Sequence, residues 1–398
     1  MKKVLFTKSR NDYIHKLHRN FIENPVEGFK YVDIDGNNFN TDKPDEEEDT
    51  EEVKGENQFI DTLVDRIYTF TKSSGLLIYL QKFWSGRKYV DRIDSSDPDI
   101  VYGLNGQYYF GDRPWIVDFE DAMVFAGHNR SALKYRKLMK KSFERENCKA
   151  IIAYSETDRR SFLELFGEEL EEKVHVSHNV VQQPENNQNI DSEGFKLLFT
   201  GSANIEDDFY MRGGREALRA FKKFNEKHPD SELIIRSKIP EEEKHLIEDN
   251  SIRVIEDIIP KEEFENLFRK SDVYLHPSYK GCALSIPEAM SFGLPIVGSD
   301  VVENDEYIES GVNGYKARAD HVKYISEGIP TYYGKGELPG LNQKFIDRLA
   351  SKIEKIYQNP EKRKKMRHNN IEKSREMFSI EAKKRKLEEV FEKSLQND

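Results

Sequence analysis

An α/β protein of two domains, each built on a largely parallel sheet, is the fold class this sequence predicts. Three observations carry that prediction. The 398 residues exceed what one ordinary core holds. Short apolar runs ending in Gly, Asp or Ser alternate with segments of helical period. A stretch poor in apolar side chains, Val181–Gly194 (VQQPENNQNIDSEG), separates two such series.

In the first series, Val4–Thr7 and Tyr31–Ile34 read as strands around a helix at Tyr13–Phe21. Residues 45–52 (DEEEDTEE) repel one another and read as a mobile loop. From Phe59 the period is helical, with Ile60, Leu63, Val64 and Ile67 on one face. Apolar runs then recur at Leu76–Leu80, Ile100–Tyr102, Trp115–Val117 and Ala150–Tyr154, the last two flanking a helical segment, Ser131–Phe143. Ser155-Glu-Thr-Asp158 has the form of a helix cap. After a linker at 183–194, the second series runs strand Lys196–Thr200, helix Arg215–Lys227, strand Glu232–Arg236 and helix Lys261–Phe268. Strand Val273–His276, helix Pro287–Phe292 and strand Pro295–Gly298 follow, and Phe345–Phe391 reads as mostly helical. The predicted domains are 1–182 and 195–377, with a terminal segment at 378–398.

Composition narrows the function classes. Hydrophobic residues make up 37% and charged residues 34%, with 24 Phe and 19 Tyr, which fits a folded core under a solvated surface. The formal charge of −11 opposes a general nucleic-acid role. Two cysteines, Cys148 and Cys282, exclude a disulfide scaffold and a cysteine-rich zinc site, and fit a reducing, cytoplasmic setting. No apolar run approaches the roughly 18 residues of a membrane span. The start, MKKVLFT, reads as a strand rather than a signal peptide. Lys134–Lys141 (KYRKLMKK) and Lys362–Arg367 (KRKKMR) are basic, and read either as solvated helix faces or as binding patches. Leu138, Met139 and Phe143 leave a membrane-surface helix open at the first, so peripheral membrane contact stays among the expected partners.

Ligands of open parallel sheets bind outside the carboxyl ends of strands, and two loops of the second half lie there. In the first, residues 201–221, Gly213 and Gly214 precede an amphipathic helix flanked by Arg212 and Arg215. Exposed amides, the helix dipole and guanidinium forks there suit a phosphate, although a Gly pair before a helix is also simply a turn. In the second, residues 276–300, Ser285-x-x-Glu288 fits a capping box; Glu288 otherwise faces a cleft and accepts hydrogen bonds from a ribose diol. In the first half, Asp118, Glu120, Asp121 and His128 follow a strand, and read either as solvated loop residues or as acid–base candidates. No motif of metal-ligand spacing or nucleophile elbow occurs, and the acidic Asp94–Asp99 lacks a supporting framework.

Residues 196–320 resemble the nucleotide-sugar domain of retaining glycosyltransferases of the GT-B fold, family 4. The likeness lies in the order of parts. A strand ends at Gly201, a basic-Gly-Gly helix start follows, then SELIIRS, IRVIEDIIPKEEFENLFRKSDVYLHPS, SIPEAMSFGLPIVGSD and ESGVNGYKA. RPWIVDFED and CKAIIAYSETDRRSFLELFG match more loosely in the first half, and the first hundred residues only in outline. The resemblance implies two facing Rossmann-like domains with a cleft between them, and a terminal helix crossing back to the first. It implies transfer of a sugar from a nucleoside-diphosphate sugar to a hydroxyl acceptor, with configuration retained and neither metal nor cofactor needed. It places Glu288 at the donor ribose and Gly281, Cys282, Ala283 and Leu284 around the diphosphate. Asp118 and His128 fall on the acceptor side. Two departures stand out: Lys280 occupies the place of a glutamate, and Ser202 that of an arginine, beside the donor-site Gly201. Arg212 then supplies the basic partner, with Gly213, Arg236 and Lys238 near it, and Lys280 lies beside the donor sugar or phosphate. The alternative is a non-catalytic nucleotide-sugar-binding or partner protein with a degenerate site.

Overall fold

The computed structural model describes residues 1–7, 16–34, 75–87, 90–185, 194–205, 207–281, 284–326, 329–330 and 340–396. The acidic run 45–52, the helical period from Phe59 and most of the linker at 183–194 lie outside them. Two compact units divide the chain: Met1–Ser177 with Lys384–Asp398, and His178–Lys383.

The first unit holds a parallel sheet of β1 (Lys2–Thr7), β2 (Phe29–Val32), β3 (Ile100–Gly103), β4 (Trp115–Phe119), β5 (Cys148–Ala153) and β6 (Val174–Val176). Its order is β2-β1-β3-β4-β5-β6. The second holds β7 (Phe195–Thr200), β8 (Ser231–Arg236), β9 (Ile252–Ile255), β10 (Val273–His276), β11 (Ile296–Ser299) and β12 (Gly314–Ala317), ordered β12-β11-β10-β7-β8-β9 and likewise parallel. Every residue of β3, β4 and β10 is buried, as strands covered on both faces require. Alternation along β7 shows the two layers: Leu197 and Phe199 enter one core with Leu218 and Phe221, while Leu198 enters another with Tyr274, Ile286 and Met290.

Two local readings change. Leu76–Leu80 belongs to a helix, Gly75–Arg87, and is not a strand. Its ten-residue run GLLIYLQKFW has one β-branched residue, Ile78, and its large apolar side chains recur every four positions. β9 forms in IRVIEDIIP, where no strand is predicted from the sequence; Ile252 alone of its residues is buried, so its pattern is weak. Ser155, in contrast, caps the helix Glu156–Phe166 as expected, its hydroxyl accepting from the Asp158 amide. Among the described residues, no helix is long and apolar enough to cross a membrane.

The first unit's core is aromatic, with Phe125 and Phe143 4.9 Å apart and Phe162 and Phe166 4.8 Å apart between ring centroids. The terminal helix Ile380–Gln396 contributes Phe391, fully buried between Phe29, Tyr31 and Tyr102 at 5.1, 6.3 and 6.2 Å. Phe391→Ala removes that ring and leaves a cavity, so we expect a loss of about 3–5 kcal/mol in the first unit's stability, measured by urea unfolding.

Candidate functional site

Sheet topology alone singles out one place in the second unit. From β7 the chain winds outward through β8 and β9, then returns to begin β10 on β7's other side. Strand order therefore reverses between β7 and β10, and the crossovers leave a crevice at their carboxyl ends. The loops that fill it are those after β7 and after β10.

The two loops are fastened together. The Tyr279 amide donates to the Met211 carbonyl at 2.9 Å. Gly213, at φ +73°, caps the helix Gly214–Asn225, and a Cβ there would strike the Pro277 carbonyl. Only glycine satisfies both demands. Ser278 Oγ accepts from the Lys280 amide at 3.2 Å and donates to its carbonyl at 2.8 Å, while the Ser278 carbonyl accepts from Ser299 at the end of β11.

At this junction Asp208 is almost wholly buried on the short helix Asp207–Met211. One oxygen accepts from Arg212 Nε at 2.7 Å, and the other takes the Lys280 ammonium. Arg212 reaches across to Ser285 Oγ at 3.4 Å. Burial pushes the Asp208 carboxyl up, but Arg212 and Lys280 together outweigh it and hold it below the usual carboxylate range. Below the same cluster His276 is fully buried, and neither ring nitrogen has a hydrogen-bond partner. Burial first, then Arg212 and Lys280, lower its pKa well below the ordinary histidine value against the pull of Asp208. The imidazole is therefore neutral at pH 7, with one donor and one acceptor unspent.

The other expected donor-side residues form a neighbouring group. Ser202 spends its hydroxyl on the amides of Asn204 (3.2 Å) and Ile205 (3.0 Å), closing its own turn. The Gly201 amide donates to the Arg236 carbonyl, the Arg236 guanidinium donates to the Gly201 carbonyl at 3.3 Å, and it lies over the Phe264 ring. Lys238 is exposed, its amide donating to the Ser202 carbonyl. Arg215 pairs with the buried Glu216. Gly281 abuts the Glu303 carboxylate; Cys282 and Ala283 lie outside the described residues. Leu284 takes the N-cap position of the helix Ser285–Ser291, so the expected capping box of Ser285 and Glu288 does not form. Glu288 is half-buried on that helix.

In the first unit Asp118 is fully buried and is not an exposed acid. It accepts from the Asn105 amide at 2.6 Å and lies 3.4 Å from His18 Nε2, which meets the Tyr154 hydroxyl at 2.8 Å. Burial, then Asp118, raises the Tyr102 and Tyr154 phenols well above their ordinary value, so both stay neutral. His128 is exposed at φ +54°, its Nδ1 3.7 Å from Asp121, which itself caps the Met123 amide. Asp118 and His128 thus serve different local roles.

Asp208 and His276 escape sequence reasoning. Asp208 sits in an acidic stretch, IEDD, that reads as solvated, and its one signal is the i,i+4 spacing to Arg212. A cavity of about 900 Å³ lined by Phe195, His228, Asp230, Ser231 and Arg363 lies at the amino ends of β7 and β8, the opposite edge from the crevice. Among the described residues, no group of three or more His, Cys, Asp and Glu is placed to hold a metal ion.

Residues 194–333 match the family model of the glycosyl transferases group 1. Among solved structures, Anabaena Alr3699/HepE, crystallised with UDP, aligns over 98% of this chain and 100% of its own, with a TM-score of 0.60 at 12% identity. A glycosyltransferase from Rickettsia africae aligns over 100% and 99%, with a TM-score of 0.59 at 14% identity. The pneumococcal O-GlcNAc transferase GtfA, crystallised with UDP and GlcNAc, aligns over 75% of this chain and 57% of its own, with a TM-score of 0.52 at 14% identity. No curated protein matches in sequence. The fold is GT-B. Within it, residues 194–333 of the second unit are similar to the glycosyl transferases group 1.

Two predictions test the geometry. Asp208→Asn leaves Arg212 and Lys280 facing one another, so stability at pH 7 should fall by about 2 kcal/mol or more, discounted for partial exposure. Stabilisation by millimolar pyrophosphate should grow in that variant, read as a larger rise in melting temperature. For His276 the folded pKa lies below the unfolded one, so its contribution is complete above about pH 6.5 and is lost as pH falls below that value. The slope reaches at most about 1.4 kcal/mol per pH unit. His276→Gln should therefore melt with a shallower pH dependence than the parent between about pH 6.5 and 4.5.

Proposed function

We propose that the chain transfers a glycosyl group from a nucleoside-diphosphate sugar to a hydroxyl acceptor, with anomeric configuration retained. The observation that carries this reading is the paired cations Arg212 and Lys280 at the β7/β10 strand reversal, beside the Gly213 helix start. When the bond from the anomeric carbon to the diphosphate oxygen breaks, its electron pair leaves with the diphosphate. Positive charge and fixed N–H donors held at that oxygen lower the barrier. Arg212 presents a fork for two phosphate oxygens, and Lys280 adds donors next to it. The acceptor oxygen bonds to the anomeric carbon on the face the diphosphate departs, and its proton passes to a diphosphate oxygen. Glu288, on the helix that follows, accepts from the ribose diol, and His276 offers its unspent nitrogens beneath the phosphates. UDP in the crystals of Anabaena HepE and of pneumococcal GtfA supports a uridine nucleotide as the first donor to try.

A second reading has its own observation. Asp208 holds both cations and cancels part of their charge, which suits a protein that binds the nucleotide-sugar without turning it over.

Thermal shift with UDP, GDP, ADP and their sugar conjugates is the direct test. One nucleotide should stabilise the protein, and Arg212→Ala should weaken it by about 10- to 100-fold, as loss of a charge-assisted hydrogen bond implies. Glu288→Ala should weaken the nucleotide but not inorganic pyrophosphate. Unchanged affinity in both variants, with the fold intact, would remove the donor site from this crevice. Stabilisation without release of nucleoside diphosphate in the presence of varied acceptors would favour the second reading.

A further inference from the structure

The helix Gly75–Arg87 is apolar on more than one side, and part of that apolar surface faces outward. Its inner face is fixed by contact: a Cβ at Gly75 would strike the Ser131 carbonyl, and one at Gly86 would strike the Tyr108 carbonyl and the Phe110 ring. On the same side, Tyr79 stacks on Tyr135 at 6.2 Å and Phe83 lies 4.6 Å from Phe110. At about 100° per residue, Leu76, Leu80, Trp84 and Arg87 fall within about 80° of arc that begins beside Phe83 and runs away from these contacts. All four are exposed, Trp84 at 68%. A helix packed wholly into a core would bury these side chains as well.

Tyr135 ends the turn Arg130–Tyr135, which leads directly into the helix Arg136–Glu144. Leu138 is exposed there amid exposed Arg130, Lys134, Arg136, Lys137 and Lys141. None of these five cations forms an ion pair among the described residues, although Lys134 lies over the Tyr135 ring. Residues 71–90 and 128–143 contain no Asp or Glu, in a chain that carries 73 of them. Acid has thus been kept out of two segments that pack on one another.

We propose that this face docks on an anionic phospholipid bilayer, with Trp84, Leu80 and Leu76 entering the headgroup–acyl boundary and the cations of 130–141 meeting lipid phosphates. A protein partner fits less well, because protein interfaces are depleted of lysine, whereas a Trp/Leu stripe flanked by Lys and Arg is the pattern of interfacial helices. The docking is independent of the nucleotide site.

The test is sedimentation of the full chain with vesicles of phosphatidylcholine alone or containing about a third phosphatidylglycerol. Binding should require the anionic lipid and weaken with salt. The chain has two tryptophans, and Trp115 is fully buried, so a blue shift of emission on adding vesicles reports Trp84. The pairs Leu80→Glu with Trp84→Glu, and Lys137→Glu with Lys141→Glu, should each cut binding about tenfold or more. Neither pair should alter the melting temperature. Equal binding to neutral and anionic vesicles, or variants that bind like the parent, would overturn the proposal. Self-association that Trp84→Glu abolishes, without any vesicle binding, would assign the face to a second copy and also overturn it.

Discussion

A single carboxylate constrains the candidate site. Asp208 is too buried to be satisfied by water, and its two oxygens are met by Arg212 from its own helix and by Lys280 from the loop after β10. Two cations this close would repel, so the acid between them is what allows both to occupy the crevice. The triad keeps one net positive charge and, on Lys280, donors that Asp208 does not consume. The same arrangement keeps His276 neutral, since a third cation in a dry environment would be opposed by burial and by both neighbours.

The two units treat buried acids differently. Asp118 and Asp208 both lie near the carboxyl ends of parallel strands. Asp118 is surrounded by phenols, a histidine and the Asn105 amide, and its bonds hold the turn after β3. Asp208 is surrounded by cations brought in from two loops at the strand reversal. Sequence position does not separate the cases; the neighbours do. That is why the first half offers acid–base candidates by pattern, while the geometry concentrates charge in the second.

Much of the fold is legible in the sequence, because parallel strands buried on both faces read as compact apolar runs and amphipathic helices keep their period. Lys196–Thr200 and Val273–His276 are recovered nearly to the residue. Short or half-buried strands such as β6 and β9 carry too few apolar residues to stand out. Gly213 and Arg212 can be singled out from the Gly pair before a helix, and Lys280 through the resemblance to the family. Asp208 cannot, since an acid in an acidic loop looks solvated until the Lys280 ammonium, 72 positions away, is placed on it. The capping box at Ser285 fails for a related reason: one residue of helix extension moves the cap to Leu284, and spacing alone does not fix where a helix begins.

Charge placement links the site to the exposed face. A protein of net charge −11 repels anions at a distance, so any anionic ligand depends on local positive potential. Screening at physiological salt acts over about 8 Å, which lets small basic islands persist on an acidic chain. The two islands here differ in depth. Arg212 and Lys280 are partly buried, and little salt penetrates between them and a bound phosphate. Arg130, Lys134, Arg136, Lys137 and Lys141 stand in solvent and are screened. Their attraction is therefore weak per charge and works by number, which is why apolar side chains must accompany them. At the proposed nucleotide site no such help would be needed: the one net positive charge of Arg212, Lys280 and Asp208, partly buried, would act on a phosphate with more strength than an exposed lysine.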